Sequence, residues 1–145
     1  MAATYPGLFR AATVYSGVPA GCFLSTADQV NGWNSTCAQG NSVASAEQWA
    51  NVVHAMYPDF DGSYPRMQIY HGGADDTLLP QNYEETVKQW TGVFGLDPET
   101  PEKSEEGVPQ SGYTTETWGV GEENPLGTVQ GIFVPSAGHT VPIDG

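Results

Sequence analysis

Two stretches decide the fold of this chain: Tyr70–Thr77, which reads YHGGADDT, and Ser136–Thr140, which reads SAGHT. Each follows a short run rich in β-branched, aromatic and other apolar residues, over 66–70 before the first stretch and over 131–134 before the second. Such runs, when bounded by glycine and small polar residues, are typical of strands. We therefore predict two strands whose following loops present polar side chains, an aspartate pair on one and a histidine on the other.

A carboxylate on one such loop and a histidine on a later one is the chain order of the acid and the base in α/β-hydrolases. The acid is Asp75 or Asp76, and the base is His139. The third member of that triad, a serine on a G-x-S-x-G elbow, should precede both, and no such motif occurs in the 145 residues. The sequence therefore predicts the acid and the base of a serine hydrolase without the nucleophile.

The chain has three histidines, and each has a plainer interpretation. Histidine as a residue type suits a general base near neutral pH, which favours this role for His139, but His139 could also be an exposed loop residue. His71 directly follows a strand and competes for the catalytic role, although its place beside two glycines favours a part in shaping the aspartate turn. His54 lies within a predicted helix and is interpreted as a surface or packing residue.

The aspartates and one serine leave further alternatives. One of Asp75 and Asp76 should orient His139, or both belong to a solvated acidic turn; the residues alone do not separate the two. Ser16 follows a strand and is a possible substitute nucleophile. It lacks the glycine two residues earlier, and Pro19 argues against the helix that an elbow requires, so we do not expect this role.

The remaining pattern predicts an α/β fold in one domain, 1–145, with parallel strands covered by helices. Predicted strands lie at 10–17 (a buried strand), 66–70, 113–120 and 128–134; predicted helices lie at 45–57 and 80–95, after the tail of a helix at 1–8. The segments 18–41 and 97–112 are predicted as loops. In the second full helix an apolar face is formed by Tyr83, Val87, Trp90 and Phe94.

Charge excludes some partners. The chain has 17 acidic and 4 basic residues, for a formal net charge of -13. Contacts with phosphate groups need Lys and Arg, so we expect neither nucleic acid nor an anionic membrane surface as a partner. Nor does the sequence contain an apolar run long enough to cross a membrane.

The two cysteines, Cys22 and Cys37, close a segment rich in Asn, Gly, Ser and Thr. We expect them to form a disulfide, with two unrelated small core residues as the alternative. Asn34 begins an N-glycosylation sequon inside this segment. Trp33 beside it is either a platform for stacking a sugar or a lid on the core. Two cysteines without clustered histidines predict no metal site.

Stretches spread along the chain together resemble one family. They are MAATYP at 1–6, YSGVPAGCF at 15–23, GWNSTC at 32–37, PRMQIYHG at 65–72, QNY at 81–83 and AGHTVP at 137–142. With them the sequence resembles fungal acetyl xylan esterases of carbohydrate esterase family 1, which are related to feruloyl esterases and polyhydroxybutyrate depolymerases. The resemblance covers nearly the whole chain.

The resemblance implies residue roles. The aspartate of the His-Gly-x-Ala-Asp segment is the acid in that family, which falls on Asp75, and the histidine of the Gly-His-x-Val-Pro segment is the base, which falls on His139. It implies that 1–145 is the C-terminal part of a single α/β-hydrolase esterase domain, whose N-terminal strands, nucleophile elbow and oxyanion hole lie upstream. It also implies a chemistry without metal or cofactor.

The same resemblance implies a secreted enzyme that removes acetyl groups from acetylated xylan or another plant cell-wall polysaccharide. A feruloyl esterase is the alternative within the same chemistry. An alternative of another class is a non-catalytic carbohydrate-binding module, for which the tryptophans would supply the sugar platform. They are Trp33, Trp49, Trp90 and Trp118.

Overall fold

A computed structural model describes residues 1–23 and 33–141 of the chain. The strands are β1 (Ala11–Tyr15), β2 (Arg66–Gly72), β3 (Lys103–Glu106), β4 (Thr114–Trp118) and β5 (Val129–Val134). The helices are α1 (Ser35–Ala38), α2 (Ala46–Ala55) and α3 (Gln81–Val93), and a 3₁₀ turn covers Pro6–Leu8.

The strands form one mixed sheet in the order β1-β2-β5-β4-β3. β1, β2 and β5 run parallel, whereas β4 is antiparallel to β5 and β3 is antiparallel to β4. The prediction of an α/β fold is confirmed, with a mixed sheet in place of a mostly parallel one. β2 and β5 are neighbours, with Gly72 opposite Val134. Their carboxyl ends therefore meet at one edge of the sheet, and the two loops that follow lie side by side.

Both long helices form where the sequence predicts them. Ser45 caps α2 in a complete capping box, because its hydroxyl accepts from the Gln48 N–H while the Gln48 side chain accepts from the Ser45 N–H. α3 packs against β2 and β5, and α2 packs against α3. The core between these layers contains Val53, Met67, Ile69, Tyr83, Val87, Trp90, Trp118 and Val129.

The structure differs from the predicted secondary structure at three places. Residues 1–8 form turns instead of a helix tail; both the Thr4 and the Tyr5 N–H groups donate to the Met1 carbonyl, and the 3₁₀ turn begins at Pro6. The predicted loop at 97–112 contains the edge strand β3, which hydrogen-bonds only to β4 and shows no apolar alternation. The predicted loop at 18–41 contains the short helix α1, and its residues 24–32 lie outside the described part of the chain.

The predicted buried character of β1 is also wrong in this structure. β1 lies at an edge of the sheet, and its residues alternate between exposed and half-buried. Within the described residues no helix combines the length and the apolar character that crossing a bilayer requires.

Candidate active site

The main chains of the two loops after β2 and β5 are in direct contact. The Gly73 N–H donates to the Val134 carbonyl at 2.9 Å, and the Ala74 N–H donates to the Ala137 carbonyl at 2.9 Å. A Cβ on Gly72 would collide with the Ala137 main chain, and a Cβ on Gly73 would lie 2.8 Å from the Pro135 Cα. The loops can approach this closely because both positions are glycine.

This contact brings the predicted acid and base together. The Nδ1 atom of His139 lies 2.9 Å from Oδ2 of Asp75. The Asp75 side chain is fully buried, whereas 41% of the His139 side chain is exposed. A buried carboxylate therefore holds one nitrogen of an imidazole whose ring still reaches solvent.

Backbone donors occupy the other oxygen of Asp75. Oδ1 accepts from the Thr77 N–H at 3.0 Å and from the Leu78 N–H at 2.9 Å. Burial acts to raise the pKa of Asp75, but the hydrogen bonds from Leu78, His139 and Thr77 outweigh it, so the pKa lies below its ordinary value. Asp75 is thus an anion at neutral pH, and an anionic carboxylate can only accept, so Nδ1 of His139 is the donor in this hydrogen bond.

The structure separates the two aspartates that the sequence left equivalent. Asp76 is exposed, and its Oδ1 lies 3.5 Å from the Thr77 hydroxyl. In the turn that follows β2, Asp75 is buried against His139 and Asp76 lies on the surface. The triad-acid geometry therefore belongs to Asp75.

The other two histidines do not present a nitrogen to a substrate. His71 is only 2% exposed, and its Nε2 lies 2.9 Å from the Leu78 carbonyl. Burial lowers the pKa of His71 despite the opposing effects of the Leu78 carbonyl and Asp75, so its ring is neutral at neutral pH. His54 is exposed on α2, where its ring lies against Tyr64.

Ser16 contacts this site from a third strand end. It has a positive φ of 43° at the end of β1, a backbone conformation that residues with a side chain seldom adopt. Its hydroxyl donates to the Thr140 carbonyl at 3.2 Å, next to His139. The hydroxyl is therefore engaged with the loop of the base and is not presented as a nucleophile. No feature of the sequence indicated this contact.

The predicted residues around the cysteines lie in one small cluster. Cys22 and Cys37 form a disulfide, with their Cα atoms 5.9 Å apart. Asn34 caps α1 through Oδ1 and donates from Nδ2 to the Cys22 carbonyl at 3.1 Å. Trp33 is 60% exposed and packs against Phe23, so it does not close the core.

The other three tryptophans are buried, which contradicts a sugar platform built from all four. Trp49 is 6% exposed, Trp90 is 3% exposed and Trp118 is 2% exposed. Each packs in the interior, where no polysaccharide can reach it. Only Trp33 keeps a surface that a sugar ring could stack on.

A second buried carboxylate lies within the scaffold that supports the site. Glu85 on α3 is fully buried and accepts from four donors, the Trp49 indole at 2.7 Å, Lys88 at 2.8 Å, Gln81 at 3.0 Å and the Ala44 N–H at 3.1 Å. Burial acts to raise its pKa, but these donors outweigh burial and hold the pKa below its ordinary value. The apolar period of α3 did not reveal this residue, because helix periodicity marks only apolar positions.

The donor groups at the site do not form a metal centre. Over residues 1–23 and 33–141, no group of three or more His, Cys, Asp or Glu side chains is arranged to hold a metal ion. The described arrangement contains a carboxylate, an imidazole and main-chain amides. Groups of these kinds can take up and donate protons.

The relatives found by comparison with known proteins share one name, acetylxylan esterase A. The whole chain is 59% identical to a protein named probable acetylxylan esterase A of Aspergillus terreus, and it covers 44% of that protein. It is 59% identical to acetylxylan esterase A of Aspergillus awamori and 55% identical to that of Aspergillus oryzae, and it covers 45% of each. No protein-family model matches the chain.

A solved structure agrees with these relatives. The fold superimposes on an acetyl xylan esterase from Aspergillus awamori with a TM-score of 0.90 at 59% identity. The match covers 99% of this chain and 50% of that one. The chain therefore spans about half the length of the relatives that it matches.

Proposed function

We propose, on the premise that this chain is related along its whole length to the fungal acetylxylan esterases, that it supplies the acid and the base of a serine esterase. The observation that carries the proposal is the 2.9 Å contact between buried Asp75 and half-exposed His139. Because the chain spans about half of those relatives, the activity belongs to a complete esterase that contains these residues as its C-terminal part. The nucleophilic serine then lies in the part of such an esterase that this chain does not match.

The mechanism is acyl transfer in two steps. Nε2 of His139 takes the proton of the serine hydroxyl as its oxygen attacks the acetyl carbonyl, and Asp75 stabilises the resulting imidazolium. His139 then gives that proton to the departing sugar oxygen, which leaves an acetyl-serine. In the second step His139 takes a proton from water as the water oxygen attacks the acetyl carbon, and His139 returns that proton to the serine oxygen as acetic acid leaves; acetic acid then loses its own proton to solvent and becomes acetate. The reaction needs no metal and no cofactor.

The proposed substrate is acetylated xylan or another plant cell-wall polysaccharide, as the names of the relatives indicate. A neutral polysaccharide is compatible with a chain of formal net charge -13, which would repel polyanions. Trp33, the exposed tryptophan, is the proposed sugar contact. Feruloylated xylan is the alternative substrate, and it uses the same acid and base.

A secreted location fits the chemistry of the Cys22–Cys37 cluster. Disulfides persist in oxidising compartments, and the polysaccharide substrate lies outside the cell. Asn34 stays a predicted glycosylation site. Its Nδ2 atom carries two hydrogens and donates one to the Cys22 carbonyl, so the other hydrogen marks the position of attachment.

The test is a hybrid esterase in which these 145 residues replace the matching part of the Aspergillus awamori enzyme. We expect the hybrid to release acetate from acetylated xylan, and His139→Ala to lower kcat by about 10³-fold or more. His54→Ala is the matched control and should leave kcat unchanged. A folded hybrid without esterase activity, or one that keeps its activity after His139→Ala, would overturn the proposal. Faster release of ferulate than of acetate would favour the alternative substrate.

A further inference from the structure

We propose that His71 is a positioning residue that fixes the carboxylate of Asp75 in the orientation that His139 requires. The inference rests on the proposed function, because it concerns the acid of the same triad. Three contacts carry it: His71 to Leu78, Leu78 to Asp75, and His71 to Asp75. All three residues are buried.

The first contact fixes the protonated nitrogen of His71. Its Nε2 lies 2.9 Å from the Leu78 carbonyl, which can only accept a hydrogen bond. Nε2 therefore carries the proton, and His71 is the Nε2–H tautomer. Burial keeps the ring neutral, so His71 meets Asp75 as a dipole and not as a competing cation.

The second contact ties the aspartate loop to β2 through both main-chain polar groups of one residue, Leu78. The N–H of Leu78 donates to Oδ1 of Asp75 at 2.9 Å, and the carbonyl of Leu78 accepts from His71. Since His71 belongs to β2, the turn is attached to the sheet through its ring. Loss of the His71 donor would leave a buried carbonyl without a partner and free the turn to shift.

The third contact concerns the orientation of the carboxylate itself. Oδ2 of Asp75 lies 2.9 Å from His139 Nδ1 and 3.5 Å from His71 Nε2, so both imidazoles flank the same oxygen. The side chains of His71 and Asp75 are only 1% and 0% exposed, so water does not replace this neighbour. A rotation of the carboxylate would move Oδ2 away from both rings at once.

The experiment reads the tautomers of the ring nitrogens by ¹⁵N NMR in the 145-residue chain, at about pH 8, above the ordinary range for histidine as a residue type. In the unsubstituted chain we expect the Nε2–H form for His71 and the Nδ1–H form for His139. In His71→Phe, which keeps a planar ring but has no donor, His139 should move toward the Nε2–H form that histidine prefers in water. In His71→Gln, whose amide can donate to Leu78, the Nδ1–H form of His139 should be retained.

The outcomes are distinct. His54→Phe is the matched control and should leave the His139 tautomer unchanged. A folded His71→Phe chain that keeps the Nδ1–H form of His139 would overturn the proposal. If His71→Phe does not fold, the unsubstituted chain still tests the proposal. An Nδ1–H tautomer at His71 would overturn it, because that tautomer cannot donate to the Leu78 carbonyl. These NMR measurements do not require the chain to hydrolyse an ester. A failure of this proposal can therefore be distinguished from a failure of the hybrid esterase.

Discussion

Asp75 and His139 are 64 residues apart in the chain, and their side chains meet at 2.9 Å. The contact exists because two parallel neighbours in the sheet, β2 and β5, end at the same edge. Oδ1 of Asp75 is occupied by two backbone N–H groups, which leaves Oδ2 for the imidazole. The fold itself thus fixes the orientation of the Asp75 carboxylate.

The first prediction tests, in the hybrid esterase, whether Asp75 and not Asp76 acts as the acid. Asp75→Asn replaces an acceptor by a donor opposite His139 Nδ1, so it should force the ring into the wrong tautomer. We expect kcat for acetate release to fall by about 10⁴-fold, with the fold retained. Asp76→Asn, one residue along and exposed, is the control and should stay within twofold of the parent. Equal losses in the two variants would contradict the assignment of the acid.

The second prediction concerns Ser16. Ser16→Ala removes the hydrogen bond to the Thr140 carbonyl but keeps the positive φ, so it should lower the free energy of unfolding by about 1 kcal/mol. Ser16→Gly also removes the hydroxyl, but glycine adopts this φ without steric cost, so its loss should be smaller. Urea denaturation measures the unfolding free energies of the two variants and of the parent chain, with exposed Ser63→Ala as the control. A Gly variant less stable than the Ala variant would argue against backbone strain at this position.

The third prediction concerns Glu85. Glu85→Leu leaves the Trp49 indole, the Lys88 ammonium and the Ala44 N–H without their acceptor, so we expect a loss of about 3 kcal/mol in unfolding free energy. Glu85→Gln retains one acceptor oxygen and should lose less. Exposed Glu84→Gln on the same helix is the matched control. The idea fails if Leu is tolerated as well as Gln at position 85.

The fourth prediction concerns the disulfide. Replacing Cys22 and Cys37 with serine releases a loop of 15 residues in the unfolded chain, which should cost roughly 3 kcal/mol in the chain-entropy account. The urea midpoint should fall accordingly. Reduction of the parent chain with dithiothreitol should give the same midpoint as the double variant, and a midpoint unaffected by reduction would contradict the prediction.

The fifth prediction concerns pH. The native pKa of His71 lies below its ordinary 6.5, so below about pH 6.5 the unfolded chain binds a proton that the native chain refuses. The free energy of unfolding should therefore decline as the pH falls from about 6.5. Asp75 and His139 are the charged or titratable neighbours of the ring. His71→Phe should remove this part of the decline.

A second decline should follow at lower pH. The native pKa values of Glu85 and Asp75 lie below the ordinary 4.5 and 3.8, so the stability that these carboxylates contribute is lost progressively as the pH falls from those ordinary values through the lowered native ones. Glu85→Gln should reduce this second decline and leave the first in place. Urea titrations at closely spaced pH values separate the two, and a single decline unaffected by His71→Phe would contradict the assignment.

The sequence predicted the parts of the site that lie at strand ends. The apolar runs of β2 and β5 were evident, and so were the loops that carry Asp75 and His139. The choice between Asp75 and Asp76 depended on which side chain turns inward, which no residue pattern states. The family resemblance selected the first of them, and the structure places that residue against His139.

The features that the sequence did not predict have a common physical cause. β3 is an edge strand that pairs with β4, and its side chains are mostly exposed, so they carry no burial pattern. Ser16 acts through a backbone angle and one hydroxyl. Glu85 is polar yet fully buried, because α3 is covered by α2 as well as by the sheet. Hydrophobic periodicity detects none of these three.

The glycines at the end of β2 have a consequence for how such a site can diversify. Because Gly72 and Gly73 rest directly on the main chain of 135–138, no side chain acts as a spacer between the loop of the acid and the loop of the base. Exchanging the surrounding side chains can alter the polarity or shape of a nearby cleft, yet it does not change the separation of Asp75 and His139. Substrate preference and proton transfer can therefore change independently, as long as these two positions stay without a side chain.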